Sequence, residues 1–265
     1  MPVHEMKHRN IGLTELGLGA AQFGNLNRET TEEEAAGAVE AAWEAGIRYF
    51  DTSPHYGLGL SEQRLGRLLS SKPRDEFVVS TKVGRLLVPN PDGVGRDTEG
   101  FDVPATTRRV RDYSRDGVLR SLEASLSRLG LDRVDILYVH DPDEHWEQAS
   151  KEAIPALVEL RDQGVIGAFG VGMNQAEMPA RFIRECDIDL VMLAGRTPCS
   201  SKGRLMTFSR SLRSVASASS SRACTTQACW RRTDLRRTQC TTTRSPQTIL
   251  CRGRTGLPTC VSGTE

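Results

Sequence analysis

The sequence predicts an α/β fold on a parallel sheet over residues 1–196, either a (β/α)8 barrel or a doubly wound sheet. Three observations carry this. Short apolar runs alternate with amphipathic stretches along the whole segment, the pattern of parallel strands joined by crossover helices. The runs Ile136-Leu137-Tyr138-Val139 and Leu190-Val191-Met192-Leu193 are apolar nearly throughout, as strands covered on both faces are. No Gly-x-Gly-x-x-Gly fingerprint follows the first strand, which disfavours the dinucleotide-binding form of the doubly wound sheet.

The elements follow in order. Residues 7–16, centred on Asn10-Ile11-Gly12, are a candidate hairpin. Residues 16–21 are the first strand. Thr30 or Thr31 caps a helix running to about Ala45; Glu32, Glu33 and Glu34 fill its first turn, where the dipole favours anions, and Gly46 stops it. A strand at 47–51, a helix at 61–69 and a strand at 77–82 come next. Residues 84–113 break the pattern: they are long, irregular and rich in Pro, Gly and charge, which predicts a functional lid or a disordered insert. A helix at 114–129 ends at Gly130, a strand spans 134–140, and a helix at 150–163 ends at Gly164. A strand at 166–172, a helix at 175–185 and a sixth strand at 188–193 complete the regular part.

Charge and cysteine divide the chain at the same place. The 265 residues carry a net charge of +1, which points to no nucleic-acid or membrane partner. Residues 197–265 hold 12 basic and 2 acidic residues, a net of +10, so residues 1–196 carry −9. Six of the seven cysteines also lie after residue 196. They suggest a disulfide framework or a metal set, but Met1 to Asn10 is polar with no apolar secretion segment. Cys224 and Cys229 are spaced unlike zinc ligands, and no His follows residue 145, so no metal is expected. No apolar run approaches the ~18 residues of a membrane span. The first part reads as cytoplasmic.

Four residues stand at the carboxyl end of a strand or just beyond it: Asp51, Tyr56, Lys82 and His140. In a parallel barrel those positions share one rim, where active sites are built. A Lys ending the run Val78-Val79-Ser80-Thr81 is costly to bury unless paired, and Asp51 is its candidate partner. The four types suit carbonyl reduction. Hydride addition makes an alkoxide that needs a proton; a Tyr hydroxyl beside a Lys ammonium is expected to have a lowered pKa and to serve as the acid, or as the base in alcohol oxidation. His140 would orient the carbonyl oxygen.

The segment Phe50-Asp51-Thr52-Ser53-Pro54-His55-Tyr56-Gly57, followed by Ser61-Glu62-x-x-Leu65-Gly66, resembles the signature of the aldo-keto reductases. Leu16-Gly17-Leu18-Gly19-Ala20 resembles the family's first strand, and Thr81-Lys82 and Val139-His140-Asp141-Pro142 resemble its other two catalytic strands. The resemblance implies a (β/α)8 barrel with Asp51, Tyr56, Lys82 and His140 as catalytic tetrad, an NADP or NAD cofactor touched by Gly19, Asp51 and Asn174, and a small carbonyl or sugar substrate. Gly170-Val171-Gly172-Met173-Asn174 is similar to the family's Gly-Val-Ser-Asn, whose Ser and Asn hold the nicotinamide carboxamide; Met173 lacks the hydroxyl. Asn174 would also suit a helix N-cap. The long segment after Lys82 looks most like the aldose 1-dehydrogenase branch (D-threo-aldose or fucose, and galactose), with pyridoxal dehydrogenase a near relative. Two other classes share the scaffold: a non-catalytic nucleotide-binding regulator, like the potassium-channel β subunits, and an inactive truncated product.

The resemblance ends at Arg196, after six of eight strand–helix units. The remaining 69 residues hold 11 Ser, 13 Thr, 11 Arg and 6 Cys, with no periodicity long enough to finish a core. Their codons suggest a slipped reading frame. Thr197-Pro198-Cys199-Ser200-Ser201-Lys202-Gly203 can be written ACA CCC TGC TCG AGC AAG GGN; one T placed before it reads TAC ACC CTG CTC GAG CAA GG, or Tyr-Thr-Leu-Leu-Glu-Gln-Gly, as the family would continue. Residues 204–211 can then read as an amphipathic helix. The same frame lets residues 223–231 read Val-Tyr-Asn-Ser-Gly-Leu-Leu-Ala, which resembles the seventh-strand motif of the sugar dehydrogenases. Residues 197–265 are therefore expected to be an out-of-frame tail, disordered or poorly folded. The loops after strands seven and eight, which hold the far half of the cofactor in this family, would be lost, leaving weak cofactor affinity and an open, aggregation-prone barrel.

Overall fold

The computed structural model describes residues 1–6, 11–193, 224–226, 239–242 and 249–252. A hairpin comes first: β1 (Val3–Met6) pairs antiparallel with β2 (Ile11–Thr14). It starts earlier than the predicted 7–16, because β1 is a half-exposed polar strand with no apolar run to mark it. The repeating part runs β3 (Leu18–Gly19), α1 (Glu32–Glu44), β4 (Tyr49–Asp51), α2 (Leu60–Leu69) and β5 (Val78–Val83). The segment after β5 forms β6 (Arg85–Pro89) and β7 (Thr107–Arg111). Then come α3 (Arg115–Leu129), β8 (Ile136–His140), α4 (Trp146–Gln148), α5 (Ile154–Asp162), β9 (Ala168–Met173), α6 (Glu177–Glu185) and β10 (Leu190–Leu193).

Local chemistry sets these bounds. Thr31 caps α1 in a full capping box with Glu34. Ser114 caps α3 through the Gly117 amide, and Gly130 ends it in the left-handed region at φ 63°. The helix expected at 150–163 begins earlier, at Trp146, and passes through a π-turn at Ala149–Ala153 before α5. Trp146 anchors that start, its ring 4.6 Å from Phe182 and 3.7 Å from the Arg181 guanidinium.

The strands β3, β4, β5, β8, β9 and β10 lie side by side in chain order, all parallel, with β11 (Cys224–Thr226) beyond β10. A doubly wound sheet reverses direction at a switch point; this one never does. The fold is an incomplete (β/α)8 barrel. The short β11 joins at Leu190↔Cys224; a three-residue ladder uses backbone groups alone and leaves no periodicity to read. A separate antiparallel pair, β12 (Gln239–Thr242) and β13 (Ile249–Arg252), follows. Apart from the backbone of these three strands, the expected out-of-frame tail lies outside the described residues.

Strand alternation sorts the side chains into two layers. Phe50, Val79, Leu137, Val139, Phe169, Val171 and Val191 pack outward beneath the helices. Tyr49, Ile136, Tyr138, Ala168, Leu190 and Met192 fill the inside, where Ile11 and Leu13 of the hairpin close the floor. Asp51, Lys82 and His140 share the inward parity, at the opposite ends of their strands.

The segment at 84–113, expected as an irregular lid or insert, is an ordered hairpin. Arg85 pairs with Arg111 and Pro89 with Thr107. Its tip is bolted to the turn before α1: Asp102 donates its amide to Asn25 O, and Asn25 Nδ2 donates to Asp102 O. Arg109 reaches inward to Asp97, both side chains being more than nine-tenths buried. Two of the segment's charges, Arg85 and Arg109, are thus buried and paired, with Asp141 and Asp97. Among the described residues no helix is long and apolar enough to cross a membrane.

Candidate active site

β4 and β5 bring Asp51 and Lys82 together. Lys82 Nζ donates to Asp51 Oδ2 at 2.7 Å and to Thr52 O at 2.8 Å, and the Lys side chain is 2% exposed. Ser80 Oγ donates to the other oxygen, Asp51 Oδ1, at 2.7 Å. With its one proton spent there, Ser80 accepts from Tyr49 at 3.0 Å, and Tyr49 in turn accepts from Tyr138 at 3.2 Å. A one-way chain of hydroxyls thus runs up the barrel interior and ends on Asp51. Burial works against the Lys82 charge, but Asp51, helped by Tyr56, outweighs it and raises the ammonium above its usual range.

Tyr56 stands on the loop after β4. Ser53-Pro54-His55-Tyr56 is a turn with Pro at its second position, closed by the Tyr56 amide donating to Ser53 O at 3.1 Å. Gly57, at φ 63°, lies so close to Gly24 that a Cβ on it would sit 2.3 Å from Gly24 O; this backbone contact fixes the turn. The Tyr56 ring lies with its centroid 4.8 Å from Lys82 Nζ and 6.1 Å from the His140 ring. Lys82 pulls the phenol pKa down as expected, yet burial pushes harder, and the net shift is upward. The expected lowering is corrected: sequence supplies the cation but not the depth of burial.

His140 completes the rim. Its Nδ1 lies 3.2 Å from Ser53 Oγ and its Nε2 3.5 Å from Asp141 Oδ2. Burial, then Lys82 and Arg85, hold its pKa well below the usual value, so the ring is neutral. Asp141 sits in the left-handed region at φ 44°, a conformation that needs support at a non-glycine residue. Tyr113 supplies it, donating to both His140 O and Asp141 O. The Asp141 carboxylate accepts from Arg85 Nη2 at 2.6 Å and from Asn174 Nδ2 at 3.2 Å.

The structure thus gathers Asp51, Tyr56, Lys82 and His140 on one rim, with Asn174 at its edge. Asn174 does not cap α6; the Gln175 side chain takes that place, accepting from the Glu177 and Met178 amides. Gly19 pairs with Asp51, is exposed, and faces open space where a side chain would stand. The Asp51 carboxylate is already engaged by Ser80 and Lys82. Met173 turns into the outer core, away from the rim. Sequence reasoning missed Ser53, His55, Arg85 and Asp141. The first two stood inside the quoted signature and Asp141 next to His140. Arg85 lay inside the segment read as irregular. Arg85 Nη1 and His55 Nδ1 are 3.0 Å apart, and His55 is pushed down to about 2 by burial and by Arg85 and Arg109. No metal-ligating cluster occurs among the described residues.

Fold and site define an α/β barrel whose carboxyl rim carries a buried Asp–Lys pair beneath a Tyr and a neutral His. The sequence model of the aldo/keto reductase family matches residues 15–198, and the chain belongs to that family. It is 52% identical over 190 residues to D-threo-aldose 1-dehydrogenase of Pseudomonas sp., covering 70% of this chain and 58% of that one. It is 39% identical over 205 residues to pyridoxal 4-dehydrogenase of Microbacterium luteolum, covering 70% and 59%. The chain thus matches somewhat more than half the length of these relatives. Among solved structures, an aldo-keto reductase of Bacillus halodurans superposes with a TM-score of 0.57 at 26% identity, over 73% of this chain and 57% of that one.

Proposed function

We propose that this barrel transfers hydride between a nicotinamide cofactor, NADP or NAD, and carbon 1 of an aldose or another aldehyde or ketone carbon, with Tyr56 as general acid and base. The observation that carries it is the Lys82 ammonium, held 2.7 Å from Asp51 and lying under the Tyr56 ring. Bound nicotinamide supplies or accepts the hydride. Gly19, Asn174 and Asp51 would hold its reactive half: open space lies over Gly19, and a Cβ on Gly172 would meet nothing nearer than 3.6 Å. His140 orients the carbonyl oxygen. Its neutrality keeps the proton donated to an alkoxide a matter for Tyr56, whose raised pKa holds that proton until a stronger base forms. The phenolate left behind is stabilised by Lys82, which Asp51 and Thr52 O hold in place. His55, Arg85 and Asp141 form a polar wall beside the rim, suited to a hydroxylated substrate.

Residues 197–265 fit an out-of-frame translation in this reading. Its support is the abrupt change in charge and cysteine content together with the place of β11. Cys224–Thr226 joins the sheet as its seventh strand, and the shifted codons of those residues can read Val-Tyr-Asn. The test has two arms. The chain as it stands should bind NADPH and NADH weakly when nicotinamide fluorescence is titrated. The product of the gene with one T added before codon 197 should oxidise aldoses, and Tyr56→Phe should abolish turnover. Tight nucleotide binding by the present chain would overturn the account of the tail. A lengthened product inert on aldoses, aldehydes and pyridoxal would overturn the reaction.

A further inference from the structure

We propose that Ser53 is a positioning residue that fixes the ring tautomer of His140, so that the imidazole presents Nε2–H to an oxygen on the rim. Ser53 is completely buried. Among the described residues its Oγ has two neighbours, the His55 amide at 3.2 Å and His140 Nδ1 at 3.2 Å. An amide N–H can only donate, so the Ser53 oxygen accepts from His55. Its one proton then has a single acceptor within reach, His140 Nδ1. The reverse arrangement, with Nδ1–H donating to Ser53, strands a buried hydroxyl proton without a partner. With Nδ1 an acceptor, the neutral ring carries its proton on Nε2.

The other side of the ring agrees. His140 Nε2 is 3.5 Å from Asp141 Oδ2, and Arg85 and Asn174 hold that carboxylate in place. A carboxylate favours an N–H over a lone pair as its neighbour. Ser53 also accepts the Tyr56 amide through its carbonyl. One residue therefore ties the turn that carries Tyr56 to the Nδ1 edge of the His140 ring. An alanine at this position keeps the turn and loses the tie.

Catalysis depends on this tautomer only if His140 meets the substrate oxygen, as proposed above, so the test reads the tautomer without turnover. The full chain is labelled with 15N-histidine, and two-bond 1H–15N correlations are recorded at neutral pH. The His140 signals are assigned as those missing from His140→Asn. The unmodified chain should show the Nε2–H pattern. In Ser53→Ala the Nδ1 resonance should move to the position of an unbonded ring nitrogen, and the Nδ1–H tautomer should grow roughly fivefold, the weight of one hydrogen bond. Ser53→Thr keeps the hydroxyl and should keep the unmodified pattern; Ser53→Cys, a weak donor, repeats the comparison should the alanine variant fail to fold. An Nδ1–H ring in the unmodified chain overturns the proposal, as does an Nδ1 signal indifferent to loss of the hydroxyl. Either result leaves the assignment of Tyr56 as acid untouched.

Discussion

Replacing Asp51 by Asn removes the charge that balances Lys82 and leaves the shape of the site almost unchanged. The ammonium would remain 2% exposed, with Thr52 O, a neutral amide and the uncharged Tyr56 ring as neighbours. Breaking a buried ion pair by deleting one partner destabilises by about 3–5 kcal/mol, because the other charge is left uncompensated. Replacing both partners by neutral groups of similar volume is often nearly neutral. Asp51→Asn should therefore lose about 3 kcal/mol or more, and Lys82→Met on the same background should recover most of it. The loss should also depend on pH. Without Asp51, the folded pKa of Lys82 falls below its unfolded value near 10.4. The unfolded chain then binds the extra proton, and stability rises as pH rises toward 10. Urea unfolding followed by circular dichroism at pH 7 and pH 9.5 measures all of this. A single variant within about 1 kcal/mol of the parent, or a double variant no better than the single, would show that Lys82 is solvated rather than buried.

Acid should unfold the chain early. His55 and His140 are held neutral, the first down to about 2 and the second well below its usual value, chiefly by burial. Unfolded, both protonate near pH 6.5, so their contribution is complete above that value and is lost as pH falls through it, at a slope approaching ~2.7 kcal/mol per unit for the two. Urea midpoints between pH 7.5 and 5 should show it, and His55→Gln should halve the slope; an unchanged slope would refute the burial of His55. Met173→Ser, which restores the family's residue type, should destabilise by about 3 kcal/mol, because Met173 is fully buried in the outer core. If nucleotide affinity rises instead, the strand end is rotated from the orientation described.

What the sequence disclosed, and what it hid, follows from whether a feature is local. Asp51, Lys82 and His140 end apolar runs, and strand alternation carries all three to one face, so their meeting is legible from period and position alone. Tyr56 lies five residues beyond its strand on a turn, and only the signature around it marks it. The hairpin of β6 and β7 was hidden because Arg85, Arg109 and Asp97 look like solvent-facing charge. Arg85 finds its partner, Asp141, far along the chain, and Arg109 meets Asp97 only once the hairpin has folded. The direction of the Tyr56 shift was hidden for a related reason. A neighbouring cation can be inferred from strand order, whereas burial is a sum over every element that covers the ring, Phe101 of the hairpin tip among them.

The same distinction explains how the complete rim of the proposed site can coexist with an unfinished barrel. Among the described residues, the side chains of Asp51, Lys82, His140 and Asp141 find their partners within residues 49–174, while the Asp51 carbonyl accepts from the Ala20 amide at 2.8 Å. Lys82 is held by Asp51 and Thr52, Asp51 by Ser80, Ser80 by Tyr49, His140 by Ser53, and Asp141 by Arg85, Tyr113 and Asn174. Among the described residues these bonds reach no further than Asn174, the residue after β9. The floor is likewise closed by Ile11 and Leu13 of the hairpin. Among the described residues, these contacts are built by the first five strands of the sheet and the loops that follow them. Under the proposed function, nucleotide affinity draws on the loops after the later strands. The proposed function therefore keeps the two properties apart, and proton placement at Tyr56 and His140 is measurable without added cofactor.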